Sequence, residues 1–204
     1  VMLFSDNVSE EDERRLKQKA VEKGLLLMGP DCGTAIINGV PLCFANAVKR
    51  GKIGIVGASG TGTQEVSTQI DKLGEGLSQV IGTGGRDLKE SIGGLMMLQG
   101  FEALIADPQT EVIVLISKPP AASVAEKIYA RAKTSPKPVV IDFIGGDAEA
   151  IRAAGAIPCL SFEDAAAKAV ALVRGEELAD KDGISLSEAE LKDLIQEQTA
   201  GLKE

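Results

Sequence analysis

The chain has 204 residues, of which 44% are hydrophobic and 25% charged, as in ordinary globular domains. Its 22 basic and 30 acidic residues give a formal net charge of −8, and only 3% of the residues are aromatic. This composition argues against nucleic-acid binding, which uses positive charge and stacking side chains. The sequence contains no histidine, so these residues cannot supply Ser-His-Asp or Cys-His catalysis, histidine-bound metal or a phosphohistidine.

The acidic excess lies at the end of the sequence, where residues 175–204 include nine acidic and three basic side chains. Residues 1–174 are nearly neutral, so we expect no strong electrostatic field that would steer charged ligands to a binding site. Three cysteines without paired spacing (Cys32, Cys43 and Cys159) predict reduced thiols in a cytoplasmic protein. No apolar run is long enough to span a bilayer, and we predict no membrane partner.

The first elements follow a strand–helix–strand pattern. Val1–Phe4 resembles the end of a strand, and Ser9 starts a helix that runs to Lys23 and stops at Gly24. Leu25–Met28 has the composition of a buried strand. We interpret residues 1–45 as the closing βαβ unit of a parallel-sheet domain that lies mostly upstream.

From Lys52 onward, strands and helices alternate regularly. The predicted strands are 52–57, 77–82, 111–117, 138–144 and 156–160. The predicted helices are 62–73, 91–105, 121–134, 147–154 and 162–174. Five such units predict a doubly wound α/β fold with a parallel sheet over residues 46–174. A flavodoxin-like order 2-1-3-4-5 would place the ligand site between the carboxyl ends of strands 52–57 and 111–117.

The segment KIGIVGASGTGTQE, residues 52–65, combines a buried strand, a glycine-rich turn and a helix start. This arrangement directs free backbone N–H groups and the positive end of a helix dipole at one point, which favours anion binding. The candidate binding residues are Ser59, Gly60, Thr61, Gly62 and Thr63. The alternative is an ordinary turn in which a hydroxyl only caps the helix.

A second glycine-rich loop follows the next strand. Gly82, Thr83, Gly84 and Gly85 allow close backbone approach to a ligand, and Arg86 offers a guanidinium suited to phosphate or carboxylate. The alternative is a flexible turn whose arginine pairs with a neighbouring acid.

Lys118, at the end of the third strand of the alternation, is a further candidate contact for the anion, although such lysines are often only solvated. Cys32 is interpreted as a small buried side chain rather than a nucleophile. Asp142 and Asp147 could act as a general base or bind an amine, or they could be solvated or capping carboxylates. We assign no catalytic residue and predict no metal site.

Beyond Arg174 the composition changes. Residues 175–183 form an acidic linker, and Ser187 starts a predicted helix through a capping box. Leu191, Leu194 and Ile195 form a thin apolar stripe on this helix. We expect residues 175–204 to lead into, or pack against, a further domain.

Several motifs resemble the α subunit of succinyl-CoA synthetase, and more closely its FdrA-like relatives. The motifs are GLLLMGPDCGT, GKIGIVGASGTGTQE, IGTGGRD, DPQTEVIVLIS, KPVV and AAGAIPCLSFEDA. Order and spacing match from about Gly24 to Leu172. The resemblance implies a Rossmann-like CoA-binding domain, of which residues 1–45 would be the end, followed by a flavodoxin-like ligase domain at residues 46–174. CoA would be held through the upstream domain, and other protein subunits are expected as partners.

The sequence departs from the synthetase pattern where phosphoryl transfer would occur. The histidine-bearing loop after the fourth strand is missing between Asp147 and Ala153. The glutamate that orients this histidine corresponds to Lys118, and the tyrosine after the glycine turn corresponds to Gln64. Phosphohistidine chemistry is therefore excluded on these residues.

FdrA-like proteins keep the CoA-ligase scaffold without the phosphohistidine. The resemblance implies a subunit of an oxamate carbamoyltransferase assembly in purine and allantoin breakdown, binding an acyl or carbamoyl phosphate or a carboxylate. Two alternatives remain open. One is an acyl-CoA synthetase, and the other is a non-catalytic scaffold subunit.

Overall fold

The computed structural model describes residues 1–179 and 188–200. The strands are β1 (Thr34–Ile37), β2 (Val40–Cys43), β3 (Arg50–Gly57), β4 (Leu77–Gly82), β5 (Val112–Ser117), β6 (Val139–Phe143) and β7 (Ile157–Pro158). The helices are α1 (Glu10–Glu22), α2 (Gly60–Lys72), α3 (Leu95–Ala106), α4 (Ala122–Ala132), α5 (Ala148–Ala153), α6 (Phe162–Arg174) and α7 (Glu188–Thr199). The chain therefore has an α/β fold, as predicted.

The strands form one seven-stranded sheet in the order β2-β1-β4-β3-β5-β6-β7. The five strands from β3 to β7 are parallel to one another, and β3 lies between β4 and β5. The predicted order 2-1-3-4-5 is confirmed. The point where the winding changes direction lies between β3 and β5, and their carboxyl ends form the crevice in which ligands of such sheets bind.

Helices cover both faces of the sheet because alternate strand residues point to opposite sides. In β5, Ile113 and Leu115 belong to the core shared with α3, α4 and α5. Val112, Val114 and Ile116 belong to the core shared with α2 and α6. The near-continuous apolar composition of β5 follows from this burial on both faces.

An antiparallel hairpin that the sequence analysis did not predict extends the sheet. β1 and β2 are joined by Asn38 and Gly39, which have positive φ angles of 52° and 80°. Ile36 of β1 pairs antiparallel with Val80 of β4. Residues 34–43 thus share a sheet with residues 50–158, and the domain division near residue 45 remains a prediction.

Four predicted elements are shorter in the structure. The helix predicted over 91–105 begins at Leu95, because Gly93 and Gly94 have positive φ angles of 83° and 71° that interrupt helical backbone. The strands predicted at 1–4 and 25–28 are reduced to one parallel bridge between Met2 and Met28. The strand predicted at 156–160 contains two residues, 157 and 158.

The helix predicted after the acidic linker is α7. Leu194 and Ile195 of its apolar stripe are exposed, whereas the proposed capping residue Ser187 and residues 180–183 of the linker lie outside the described residues. Within residues 1–179 and 188–200, no helix has the length and apolarity needed to cross a bilayer.

Candidate functional site

A cavity of about 470 Å³ opens at the carboxyl ends of β3 and β5, where the sequence analysis placed the ligand site. From the loop after β3 it is lined by Ala58, Ser59, Gly60, Thr61 and Gln64. The other lining residues are Gly85 after β4, Ser117 and Lys118 at the end of β5, and Phe4, Asp31, Gly33, Thr34 and Phe44 from the first 45 residues. The cavity therefore combines one predicted anion loop, part of the second and a wall that the sequence did not predict.

The amino end of α2 presents unused backbone donors to this cavity. Ser59 caps the helix by accepting a hydrogen bond from the amide of Gly62, at 3.3 Å. The amides of Gly60 and Thr61 donate no hydrogen bond within residues 1–179 and 188–200. The first turn of α2 contains no acidic residue, in contrast to those of α1, α5 and α6. The positive end of the α2 dipole is thus not offset by a carboxylate of its own helix.

The predicted hydroxyl groups are divided between two roles. Thr63 is buried and donates its hydroxyl hydrogen to the carbonyl of Ser59, at 2.7 Å. Ser59 itself caps the helix, as the alternative expected, and also lines the cavity. Thr61 is exposed and lines the cavity, and its hydroxyl has no hydrogen-bond partner among the described residues. Thr61 is therefore the hydroxyl of this loop that remains available to a ligand.

The glycines of the two loops also differ in role. A Cβ at Gly82 would lie 2.4 Å from the carbonyl oxygen of Thr34, and one at Gly84 would lie 2.0 Å from that of Pro30. A Cβ at Gly62 would lie 2.7 Å from the ring of Phe162. These three glycines allow close packing within the protein. At Gly60 a Cβ would approach no atom closer than 3.7 Å, so this position is open to a ligand.

Thr83 and Arg86 of the second loop are directed into the protein. Thr83 is buried, and its amide donates to the carbonyl of Gly57 in β3, at 2.9 Å. Arg86 Nε lies 2.9 Å from Glu13 Oε2, and its guanidinium donates to the carbonyl of Val8. Neither residue lines the cavity, and Gly85 is the member of this loop that does. A role for Arg86 in anion binding remains a prediction.

Glu13 belongs to a buried ion cluster that the sequence analysis missed. Lys17 is fully buried, and its ammonium lies 2.8 Å from a carboxylate oxygen of Glu13 and 2.8 Å from one of Asp87. The ammonium also donates to the carbonyl of Thr83, at 2.9 Å. Glu13, Lys17 and Ala20 share one helical face, and this spacing is the signal that could have indicated buried charge.

Lys118 provides the cavity with a cation. Its side chain is exposed and forms no hydrogen bond or ion pair with any described residue. The adjacent Ser117 is 3% exposed, and its hydroxyl likewise has no partner among the residues that the structure describes. Lys118 and the amino end of α2 are therefore brought together as predicted, because they follow the neighbouring strands β5 and β3.

The opposite wall comes from the amino-terminal segment. Phe4 and Phe44 contact each other edge to face with ring centroids 5.5 Å apart, and both are exposed at the cavity. Asp31 is exposed beside Gly85. Gln64 donates to the hydroxyl of Thr34 at 3.1 Å and to the carbonyl of Phe44 at 2.9 Å, linking α2 to this wall.

Two side chains that the sequence analysis considered as functional candidates have structural roles. Cys32 is 2% exposed, and burial raises the pKa of its thiol, which favours the neutral form over a nucleophilic thiolate. Asp147 caps α5 by accepting hydrogen bonds from the amides of Glu149 and Ala150. Among the described residues there is no group of three or more histidine, cysteine or acidic side chains that could hold a metal ion.

Comparisons with known proteins agree with this architecture. Residues 48–145 match the family described as CoA binding domain. The chain is 62% identical over 172 residues to YahF of Escherichia coli (strain K12), covering 84% of this chain and 33% of YahF. It is 34% identical over 153 residues to the mitochondrial ADP-forming succinate–CoA ligase subunit alpha-2 of Trichomonas vaginalis, covering 72% of this chain and 48% of that subunit. The chain thus spans a third to a half of these relatives.

Among solved structures, ATP citrate lyase from Methanothrix soehngenii in complex with citrate and coenzyme A has a TM-score of 0.68. The match covers 100% of this chain and 39% of that one at 17% identity, so it shows the fold alone. The two sequence relatives carry more information, and the identity to YahF fits the FdrA-like relationship. The chain belongs to the CoA-ligase superfamily that includes the α subunit of succinyl-CoA synthetase.

Proposed function

We propose that this CoA-ligase-fold protein binds a phosphate-type anion, such as an acyl or carbamoyl phosphate, in the cavity between β3 and β5. The observation that carries the proposal is the unpaired ammonium of Lys118 beside the uncompensated amino end of α2. A helix amino end carries roughly half a positive charge, and its free amides donate hydrogen bonds to an anion. Lys118 adds a full positive charge, so the two features together favour a dianionic phosphate.

The other side of the cavity favours a carbamoyl group. β3 lies between β4 and β5, so Asp31 beside the loop after β4 and Lys118 just after β5 flank the amino end of α2. A phosphate near Asp31 would be repelled, which favours the Lys118 side for the phosphate. The carboxylate of Asp31 can accept hydrogen bonds from the NH₂ group of carbamoyl phosphate, whereas acetyl phosphate offers a methyl group there. This difference supports carbamoyl phosphate as the ligand.

The FdrA-like resemblance supports the same substrate class. We propose that the protein is a subunit of an assembly of the oxamate carbamoyltransferase type, acting in purine or allantoin breakdown. Transfer of a carbamoyl group to an amide nitrogen requires orientation of both reactants and stabilisation of developing negative charge, but no covalent enzyme intermediate. Lys118, Ser117 and the amides of Gly60 and Thr61 can supply that stabilisation, and the 204 residues provide no histidine for a phosphoryl relay.

An acyl-CoA synthetase activity is the second candidate. It is supported by the match of residues 48–145 to a CoA-binding family and by relatives named as CoA ligase subunits. In this case an acyl phosphate would occupy the same anion site and CoA would be the acceptor. The two candidates make different predictions about ligand preference.

Calorimetric titration with inorganic phosphate, acetyl phosphate, carbamoyl phosphate and CoA would test the proposal. We expect carbamoyl phosphate to bind more tightly than acetyl phosphate, and Lys118→Ala to weaken phosphate binding by roughly 10- to 100-fold, as for a lost charged hydrogen bond. Lys133→Ala is the matched control, because Lys133 is an exposed lysine that follows α4 at the opposite edge of the sheet.

Each contrary result selects an alternative. CoA binding without a preference for carbamoyl phosphate would favour the acyl-CoA synthetase. Absence of binding by every anion would contradict the proposed site and favour the scaffold subunit. Equal affinities in the Lys118 and Lys133 variants would contradict the role of Lys118.

A further inference from the structure

A second cavity, of about 260 Å³, lies between the carboxyl end of β6 and the turn that leads from β7 into α6. It is lined by residues 142–146 and 159–163 and shares no lining residue with the first cavity. Asp142 alternates with Ile141 along β6 and therefore points to the face covered by α6. The cavity thus has an acidic side chain near the carboxyl end of β6.

Asp142 differs from the other buried acids of the described residues. It is 3% exposed, and its Oδ2 atom is buried without a hydrogen-bond partner in the described part of the chain. The other buried acids each have a basic partner: Glu13 and Asp87 lie 2.8 Å from the ammonium of Lys17, and Asp164 lies 2.8 Å from that of Lys168. A buried carboxylate without such a partner is costly, so a cationic ligand would supply what the protein lacks.

The remaining lining residues restrict the kind of cation. Ile144 and Leu160 are large apolar side chains that are 49% and 63% exposed, and Phe162 is half-buried. Glu163 is an exposed acid, and no basic side chain of residues 1–179 or 188–200 lines the cavity. These apolar walls suit a hydrocarbon chain rather than a hydrated metal ion, which takes six or more oxygen ligands. An anion would meet Asp142 and Glu163 together and be repelled.

We propose that this cavity binds a small primary alkylamine in its ammonium form, with Asp142 as the counter-ion. The hydrocarbon chain contacts Ile144, Leu160 and Phe162, and the ammonium hydrogens are donated to the Asp142 carboxylate. The site is independent of the anion site and does not rest on the function proposed above.

The acidity of Asp142 gives the proposal a pH signature. Burial, followed by the negative charges of Asp164 and Glu163, raises the pKa of Asp142 to about 6. The ammonium of Lys168 pairs with Asp164. Besides Asp142 and Glu163, Cys159 is a titratable residue that lines the cavity. Because the ammonium binds the ionised carboxylate, affinity should rise as pH increases through 6 and level off above it. From pH 7.5 to pH 5 we expect roughly a tenfold loss of affinity.

Titration of ¹⁵N-labelled protein with n-butylammonium chloride, followed by NMR, would test the site. We expect saturable shifts of amides in residues 142–146 and 159–163, and affinity that increases roughly two- to fourfold per methylene from ethylammonium to butylammonium. Neutral n-butanol has the same shape and should bind at least about tenfold more weakly. Asp142→Asn should reduce butylammonium affinity by a similar factor, whereas the control Asp6→Asn removes an exposed, distant carboxylate and should have no effect.

Equal binding of butylammonium to wild type and Asp142→Asn would overturn the proposal. So would equal affinity for butanol and butylammonium, or the absence of saturable shifts in residues 142–146 and 159–163. Leu160→Ser provides a second variant on the surface. This substitution should reduce the affinity for butylammonium more than the affinity for ethylammonium. An equal reduction of both affinities would contradict the assigned position of the hydrocarbon chain.

Discussion

Lys17 Nζ lies 2.8 Å from Asp87 Oδ1, and both side chains are fully buried although they are separated by 70 residues in sequence. Asp87 also accepts hydrogen bonds from the amides of Met96 and Met97 at the start of α3. Lys17 therefore connects α1 to the loop between β4 and α3, and through the carbonyl of Thr83 to the glycine-rich segment itself. The position of that segment depends on a charge in the first helix.

Replacing Lys17 tests this connection. Lys17→Met would leave the buried carboxylates of Glu13 and Asp87 without their shared cation, which typically costs about 3–5 kcal/mol. Lys19→Met, at an exposed position of the same helix, should change the free energy of unfolding by less than about 0.5 kcal/mol. Urea unfolding at pH 7 would measure both, and equal stabilities would contradict the buried ion cluster.

Arg86 allows a test of two roles for one side chain. Its side chain is 27% exposed and its guanidinium contacts Glu13 and the carbonyl of Val8, so we expect Arg86→Ala to destabilise the protein by about 1–3 kcal/mol. Phosphate affinity of the folded variant should stay within about twofold of wild type, because Arg86 does not line the cavity. A large loss of affinity at unchanged stability would instead support the anion-binding role predicted from the sequence.

The sequence predicted the strand order well because buried parallel strands have distinctive composition. Val112–Ser117 is apolar throughout, and such a run between helical segments has few other interpretations. The missed β1–β2 hairpin had a local signal in Asn38-Gly39, which favours a two-residue turn. Pro41 and the short flanking strands do not resemble a sheet interior, so the turn signal alone does not predict the hairpin.

Side-chain roles were less predictable than strand order. Lys118 was correctly placed at the cavity because the end of a strand fixes its position. Arg86 follows another strand at the same edge, but its direction depends on Glu13, which is 73 positions away. Asp31, Phe4 and Phe44 reach the cavity through tertiary packing that periodicity and spacing do not encode.

The glycines provide a prediction that separates packing from ligand access. Gly82→Ala would bring a methyl group to 2.4 Å from the Thr34 carbonyl and 2.5 Å from Cys32 Sγ, so we expect a loss of about 1–3 kcal/mol of stability.

Gly60→Val has more space and should remain folded, but its branched side chain would cover the free amides at the start of α2. We expect phosphate to bind this variant at least roughly tenfold more weakly. Thermal unfolding and phosphate titration of both variants would show whether the two glycines differ, and unchanged phosphate affinity in Gly60→Val would contradict the role of those amides.

The acidity of Asp142 predicts how stability depends on pH. Its pKa in the folded protein is raised from 3.8 to about 6, mainly because burial penalises the ionised form. The folded state therefore holds this proton more strongly than the unfolded state, and the stability that Asp142 contributes is lost as pH rises from about 4 through 6. The difference between the two pKa values corresponds to about 3 kcal/mol.

Asp142→Asn has no proton to lose, so it should be more stable than wild type at pH 7.5 by an amount approaching that value, with a much smaller difference at pH 4. Urea unfolding of both proteins across this pH range, with Asp6→Asn as the control for an exposed acid, would measure the effect. A stability difference between wild type and Asp142→Asn that does not change with pH would show that Asp142 ionises in the folded protein as easily as in the unfolded chain.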